Sequence, residues 1–243
     1  MAGGMQALAR LIYPPACVSC GALVENDFAL CPACWPEAHM ISGLVCDVCG
    51  LPLPGEEPEG VAVQCDACLA APRPWVRGRS VLLYRDIGAR LAVAFKAYDR
   101  AELARPFGAW MARAAAPLEP EGALVVPVPL HWRRLWARRY NQAALLAQAV
   151  GRELGLQVAP DALTRPAPTA KLEGLGRAAR EGVLAGAISP HPCRAAPVRG
   201  RRVLLVDDVL TTGATLAASS TALLAAGATE VCTLTLARTA KDA

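Results

Sequence analysis

The sequence predicts an α/β protein with a small cysteine-rich module in front, and three observations predict it. From residue 76 onward, short apolar runs alternate with helix-length segments, the pattern of a parallel sheet with helices on its faces. Eight of the ten cysteines fall within residues 17–68. The chain has 243 residues, 54% hydrophobic and 19% charged, enough for one ordinary domain, a small second unit and a sizeable buried core. The expected units are residues 1–75 and 76–243.

The elements follow from periodicity and punctuation. Residues 81–84 read as a short strand, followed by a helical pattern at Leu91, Ala94, Phe95 and Tyr98 and a second helix over 102–116. Residues 124–128 read as a buried strand. Leu145, Leu146, Ala149, Val150 and Leu154 then recur at helical spacing, with Gly155 placed to end the helix. Residues 166–186, rich in Gly, Pro and Ala, lack periodicity and are expected to be a long mobile segment. Val203-Leu204-Leu205-Val206 is a continuous apolar run of the kind found in a central parallel strand. A helix over 214–226, stopped by Gly227, and a last strand over 231–236 complete the pattern.

Residues 209–229 are an uncharged run of 21, long enough to raise a membrane span. Their Thr, Ser and Gly content points instead to a buried helix, so no membrane span is expected. No apolar stretch of signal-peptide length precedes Pro14 and Pro15, and the expectation is a cytoplasmic protein with reduced thiols. The net charge of +4 is uneven: residues 1–75 hold 2 basic and 8 acidic side chains, residues 76–243 hold 23 and 13. Two readings stand: the oppositely charged halves dock on each other, or the basic half meets phosphate-bearing partners.

The cysteines form four pairs, Cys17/Cys20, Cys31/Cys34, Cys46/Cys49 and Cys65/Cys68, each with two residues between. That spacing lets both thiolates of a turn reach one tetrahedral ion, and zinc with four thiolates is the natural occupant. Four pairs supply two closed structural sites with no open coordination position. Redox and iron–sulfur uses are the alternatives; the first is disfavoured because redox pairs come singly on a βαβ scaffold. A module of this size with so few large apolar side chains depends on metal for much of its folding free energy. Spacing leaves open how the pairs combine. Ala70-Ala71-Pro72-Arg73-Pro74 reads as a linker into the second unit.

The strand at 203–206 runs into Asp207, Asp208, Val209, Leu210, Thr211, Thr212, Gly213, Ala214 and Thr215. Two carboxylates thus arrive at the C-terminal edge of a buried strand, where open α/β sheets bind ligands. Backbone N–H groups, Thr hydroxyls and the positive end of the following helix can hold a phosphate. The carboxylates would repel that phosphate but suit vicinal ribose hydroxyls, with magnesium on a diphosphate. The segment resembles the 5-phosphoribosyl-1-pyrophosphate motif of type I phosphoribosyltransferases. That resemblance implies the type I phosphoribosyltransferase fold, with Asp207 and Asp208 as candidate catalytic residues on the ribose and Val209 through Thr215 around the 5-phosphate.

Val126-Pro127-Val128-Pro129-Leu130-His131 is followed by Arg133, Arg134, Arg138 and Arg139, with Trp132 and Trp136 interleaved. Arginine forks suit a pyrophosphate clamp, and Arg with aromatic residues also suits single-stranded nucleic acid. Pro127-Val128-Pro129-Leu130-His131 together with Arg138-Arg139-Tyr140-Asn141-Gln142 resembles the signature of the ComF/GntX family of competence-associated, phosphoribosyltransferase-like proteins. A cysteine-rich zinc module, a Lys-aromatic segment like Phe95-Lys96-Ala97-Tyr98, and a segment like Leu163-Thr164-Arg165 through Arg177 and Arg180 belong to the same resemblance. Departures stand at Lys171, Gly182 and Tyr140, where that family often has Gln, Asn and Phe. The resemblance implies a pyrophosphate end at Lys96, Pro129, Leu130, Arg138 and Arg139, zinc and magnesium as cofactors, and a role in DNA uptake with single-stranded DNA and competence or recombination proteins as partners. No acceptor pocket or general base is legible, so an active transferase remains the alternative.

Overall fold

The computed structural model describes residues 13–56, 60–97, 100–131, 140–166 and 186–240. Its centre is a four-stranded parallel sheet in the order β1-β6-β5-β2, formed by β1 (Arg77–Leu83), β2 (Leu124–Pro127), β5 (Arg202–Leu210) and β6 (Glu230–Arg238). Side chains alternate across a strand, and β5 shows the result: Leu204 and Val206 join one buried cluster, Val203 and Leu205 the other.

On the first face lie α3 (Asp86–Ala97), α4 (Ala104–Ala114) and α5 (Gln142–Leu154), after the short helices α1 (Trp35–Ala38) and α2 (Asp66–Ala70) of the front module. Phe95, Phe107 and Trp110 form the aromatic centre of that face, Phe95 and Phe107 edge to face at 5.5 Å. α6 (Ala214–Ala225) covers the opposite face with Leu216 and Leu223. A two-stranded antiparallel ribbon of β3 (Leu163–Thr164) and β4 (Ser189–Pro190) packs near α6.

Several elements differ from the sequence reading, each for a physical reason. β1 begins at Arg77 rather than at residue 81, because the Arg77-Gly78-Arg79-Ser80 stretch looks polar while its backbone pairs with β6. The helix expected over 102–116 is a 3-10 turn, Ala101–Leu103, followed by α4; Pro106 is tolerated in the first turn and Pro117 stops continuation. β3 and β4 span two residues each, too short to leave a periodic signal. The uncharged run over 209–229 holds α6, which buries one face and leaves Thr221, Leu224 and Ala225 exposed, and among the described residues no helix is long and apolar enough to cross a membrane. Most of the segment expected to be mobile, 167–185, lies outside the described residues, as does Tyr98.

The front module closes the sheet. β1 is an edge strand, and an open edge presents unpaired N–H and C=O groups. The Ile41 N–H donates to the Val81 carbonyl at 2.8 Å, the Leu83 N–H to that of His39 at 3.1 Å, and the Gly78 N–H to that of Asp47 at 2.8 Å. Cys17, Leu30, Cys31, Cys34 and Ala38 share the buried cluster of the α3–α5 face, whereas Cys46, Cys49, Cys65, Cys68 and Trp75 share that of α6. One half of the module therefore sits with each face. Charge follows: Arg79 pairs with Asp47 at 2.8 Å and Arg90 with Glu37 at 3.4 Å, acidic front to basic rear. The docking reading of the charge asymmetry thus has named contacts, with the exposed Arg90–Glu37 pair contributing little.

At Gly78 the module approaches β1 closely. A Cβ there would stand 2.5 Å from Thr233 Oγ1 and 2.7 Å from the Val48 carbonyl oxygen, the latter part of a constrained turn. Gly78→Ala is expected to cost about 1–3 kcal/mol of stability, read as a lower midpoint in urea unfolding; an unchanged midpoint would contradict the close docking.

Candidate functional site: two cysteine clusters and an acidic strand end

The eight CxxC cysteines form two groups, Cys17/Cys20/Cys31/Cys34 and Cys46/Cys49/Cys65/Cys68, in each of which all sulfurs lie within 4.8 Å of one another. Consecutive pairs therefore combine, which spacing alone left open. Four sulfurs about 2.3 Å from a tetrahedral ion lie about 3.8 Å apart, and Cys20–Cys31 at 3.6 Å and Cys49–Cys65 at 3.7 Å fit that geometry. Within each cluster the thiols are pushed in opposite directions: burial raises Cys34 to about 12 and Cys68 to about 11, and the Cys49 side chain, then burial, raises Cys46. Burial pushes the Cys17 thiol up, but the backbone N–H groups of Cys20 and Cys31 more than offset it and hold the thiol at about 6. The Cys46 side chain and the Arg238 guanidinium together hold Cys49 at about 4. Cys193 is exposed and Cys232 buried in β6, and neither joins a cluster among the described residues.

The second feature arises where two strands differ in length. β2 pairs with β5 only from Leu124↔Val203 to Pro127↔Val206, whereas β6 accompanies β5 as far as Leu210↔Arg238. Asp207 and Asp208 lie just past the end of β2, still within β5 rather than beyond it. The chain then turns at Thr211, Thr212 and Gly213 into α6, which starts at Ala214 and Thr215. Gly213 has φ 82°, and a Cβ there would meet Arg73 Nη1 at 2.9 Å and Trp75 at 3.2 Å. A left-handed, crowded position of this kind admits glycine and strains anything larger.

These residues line one cavity of ≈ 400 Å³ together with Lys96, Pro129 and Leu130, as well as Tyr84, Asn141, Gln142 and Arg165. Lys96 Nζ lies 3.1 Å from Asp208 Oδ2. Arg138 and Arg139 lie outside the described residues. Burial, then repulsion by Asp208, pushes the Asp207 carboxyl up to about 7 against the opposing pull of the Asp208 N–H, Lys96 and Arg165. One carboxyl of the adjacent pair is thereby poised near neutrality.

Sequence reasoning did not single out Tyr84 and Arg165 as site residues; Arg165 was legible only as part of a resemblance. The Tyr140-Asn141-Gln142 run acquires a structural account. Tyr140 donates its hydroxyl to the Phe95 carbonyl, and Gln142 its amide to that of Lys96 at 3.5 Å. Asn141 donates to the Val128 carbonyl at 3.1 Å while its Oδ1 caps α5 by accepting from the Ala143 N–H. One tripeptide thus ties Val128, just past β2, to the start of α5 and to the end of α3 that carries Lys96.

A parallel sheet whose acidic strand passes through a left-handed glycine into a helix N-terminus defines a phosphoribosyltransferase-type domain, and residues 143–243 match the family described as phosphoribosyl transferase domain. Residues 8–69 match the double zinc ribbon domain, and the two cysteine clusters are its zinc sites. The chain is 32% identical over 236 residues to the DNA utilization protein YhgH of Escherichia coli (strain K12), covering 94% of this chain and 99% of that one. It is 28% identical over 226 residues to the competence protein ComFC of Bacillus subtilis (strain 168), covering 89% and 87%. The chain belongs to the ComF family of phosphoribosyltransferase-like proteins with an N-terminal zinc ribbon. Among solved structures, an allosteric regulatory enzyme of purine biosynthesis matches 59% of this chain and 30% of its own at 20% identity and a TM-score of 0.40.

Two measurements follow. Metal analysis of protein purified without chelator should give about two zinc per chain, and Cys46→Ser/Cys68→Ser should halve it; metal-free folded protein would contradict the sites. Because the Asp207 carboxyl is raised from 3.8 to about 7, its contribution to stability is full below pH 3.8 and is lost as pH rises through 7. The melting advantage of Asp207→Asn over the parent should therefore grow between those pH values and stay constant above them. A pH-independent difference would show that Asp207 is not raised.

Proposed function

We propose that this protein binds 5-phosphoribosyl-1-pyrophosphate in the cavity at the end of β5 and serves DNA uptake. The observation that carries the reading is the single cavity shared by the carboxylates of Asp207 and Asp208, the turn through Gly213 and the cationic side chains Lys96 and Arg165. The chemistry divides by charge. The two carboxylates accept hydrogen bonds from the ribose 2- and 3-hydroxyls, charge-assisted contacts stronger than neutral ones.

The Thr211, Thr212 and Thr215 hydroxyls and the first N–H groups of α6 receive the 5-phosphate, because the N-terminus of a helix attracts anions. The N-cap of α6 is Gly213, which has no side chain, and the Ala214 N–H donates to Thr212 Oγ1 only at 3.4 Å, a contact that a phosphate at this end replaces. Lys96, with Pro129, Leu130, Arg138 and Arg139, serves the diphosphate, and magnesium neutralises part of the diphosphate charge when bound. Lys96 then exchanges its contact with Asp208 for the ligand. The units behind this are a zinc module over 1–75 and a phosphoribosyltransferase-like domain over 76–243. Work on DNA is supported by the relatives named for competence and DNA utilization and by the basic excess of the rear unit.

Calorimetric titration of the ligand with magnesium tests the site. Each lost charge-assisted hydrogen bond is worth about 1.5–3 kcal/mol, so Asp207→Asn/Asp208→Asn should weaken binding at least about a hundredfold; equal affinity would overturn the assignment. Single-stranded DNA binding, measured against salt, should fall linearly in log–log form, and no binding at low salt would overturn direct DNA contact. Release of pyrophosphate from the bound ligand on adding a nucleophilic acceptor would establish the transferase alternative.

A further inference from the structure

The stretch Pro72-Arg73-Pro74, which reads as a linker, lies against the turn that leads into α6. Arg73 donates from Nη1 to the Thr212 carbonyl at 3.0 Å, stacks its guanidinium over Trp75 at 5.3 Å, and keeps its Nε buried with no hydrogen-bond partner among the described residues. Trp75 is itself buried, and its Nε1–H donates to the Val48 carbonyl at 2.6 Å, inside the Cys46–Cys49 turn of the second cluster. The same two side chains form the wall that a Cβ at residue 213 would strike.

A second link runs along β6. Arg238, buried at the end of that strand, donates to both the carbonyl and the sulfur of Cys49, the latter at 3.0 Å. The next residue, Thr239, donates its N–H to the Leu210 carbonyl at 2.9 Å and its hydroxyl to that of Thr211 at 3.5 Å. The second cysteine cluster therefore reaches the turn over 211–213 from two directions. The contacts of the first cluster's half fall on β1 (Ile41 to Val81), the early part of α3 (Glu37 to Arg90) and α4 (Phe28 to Trp110 and Arg105).

We propose that Arg73 is a positioning residue for the phosphate turn and that, with Trp75 and Arg238, it couples the second zinc ribbon to that turn, so that metal in the second site and ligand in the cavity strengthen each other's binding. The proposal rests on the ribose-phosphate reading of the cavity. Two physical effects carry it. The Thr212 carbonyl is held by Arg73, which fixes the peptide preceding Gly213 in the orientation that the left-handed turn needs. The guanidinium also sets a positive charge behind the turn, on the side away from the cavity, where a partly desolvated charge acts on an anion with little screening. Metal in the second site holds the Cys46–Cys49 turn, and with it the Val48 carbonyl and the Cys49 acceptors that orient Trp75 and Arg238.

Coupling between two binding sites is reciprocal, and that supplies a test on the zinc-loaded full-length protein. Zinc transfer to a chromogenic chelator is followed with and without saturating 5-phosphoribosyl-1-pyrophosphate and magnesium. The expected result is that ligand slows the release of one of the two zinc equivalents and leaves the other unchanged. Asp207→Asn/Asp208→Asn under identical conditions reports any effect of free ligand on the chelator.

In parallel, Arg73→Ala should weaken the ligand on the order of tenfold, a usual size for coupling. It should also abolish the selective slowing while the protein still carries both zinc ions. Arg73→Lys, which keeps a donor and the charge, should recover most of the affinity, and Arg73→Gln, which keeps only a donor, should recover less. If the parent binds the ligand yet both zinc ions leave at unchanged or equally slowed rates, or if Arg73→Ala binds as the parent does, the coupling is overturned while the cavity reading stands. If the parent does not bind the ligand at all, the cavity reading itself fails.

Discussion

The length mismatch between β2 and β5 is the constraint on which the rest depends. β2 stops at Pro127, opposite Val206, while β6 keeps β5 extended for four more residues. Across Val203–Val206 the strand has neighbours on both sides and tolerates only apolar residues. One residue later β2 no longer accompanies the strand, and Asp207 and Asp208 line the cavity instead. Past Pro127 the Val128 N–H still donates to the Val206 carbonyl at 2.9 Å, and the paired residues of β2 and β5 end there. The open corner then receives Lys96 from α3, the loop at Pro129 and Leu130, and the start of α6, all held by short contacts within the chain.

That corner needs a firm sheet behind it, and the front module supplies one. A four-stranded sheet with β1 at one edge would present a row of unsatisfied backbone groups there, and the zinc ribbons cover them. Each ribbon contributes cysteines to the core of one face, three from the first and four from the second, so metal binding and sheet packing are not separate sources of stability. The opposite charges of the two parts of the chain have a concrete outlet in Arg79–Asp47, which is partly buried. This arrangement also explains how a module with few large apolar side chains persists as an ordered structure: it borrows the core of its neighbour and holds its own turns by metal.

Much of this was legible in the sequence because the relevant signals are local. The apolar run at 203–206, the acidic pair and the Thr-Gly turn lie within a dozen residues, and the CxxC spacing encodes its chemistry directly. Gly155 marks the end of α5 in the sequence, and the helix ends there. What could not be read is what only the third dimension brings together. Arg165 reaches the cavity from a two-residue strand. Tyr84 follows an edge strand whose first half looks polar because its arginines face the ribbon and the surface. Arg73 resembles a linker residue because prolines flank it, yet its partner is Thr212, 139 residues away. The combination of the cysteine pairs was likewise a question of distance, not spacing.

The central claim is that the turn over 211–215 and the acidic pair before it form the ligand site. Hydrogen exchange of the backbone amides, with and without 5-phosphoribosyl-1-pyrophosphate and magnesium, tests it most directly. The account predicts that protection on ligand addition is concentrated in the peptide holding Asp207 through Thr215, with a smaller effect at the end of α3 around Lys96. Protection absent there, or strongest on the opposite edge of the sheet, would contradict it.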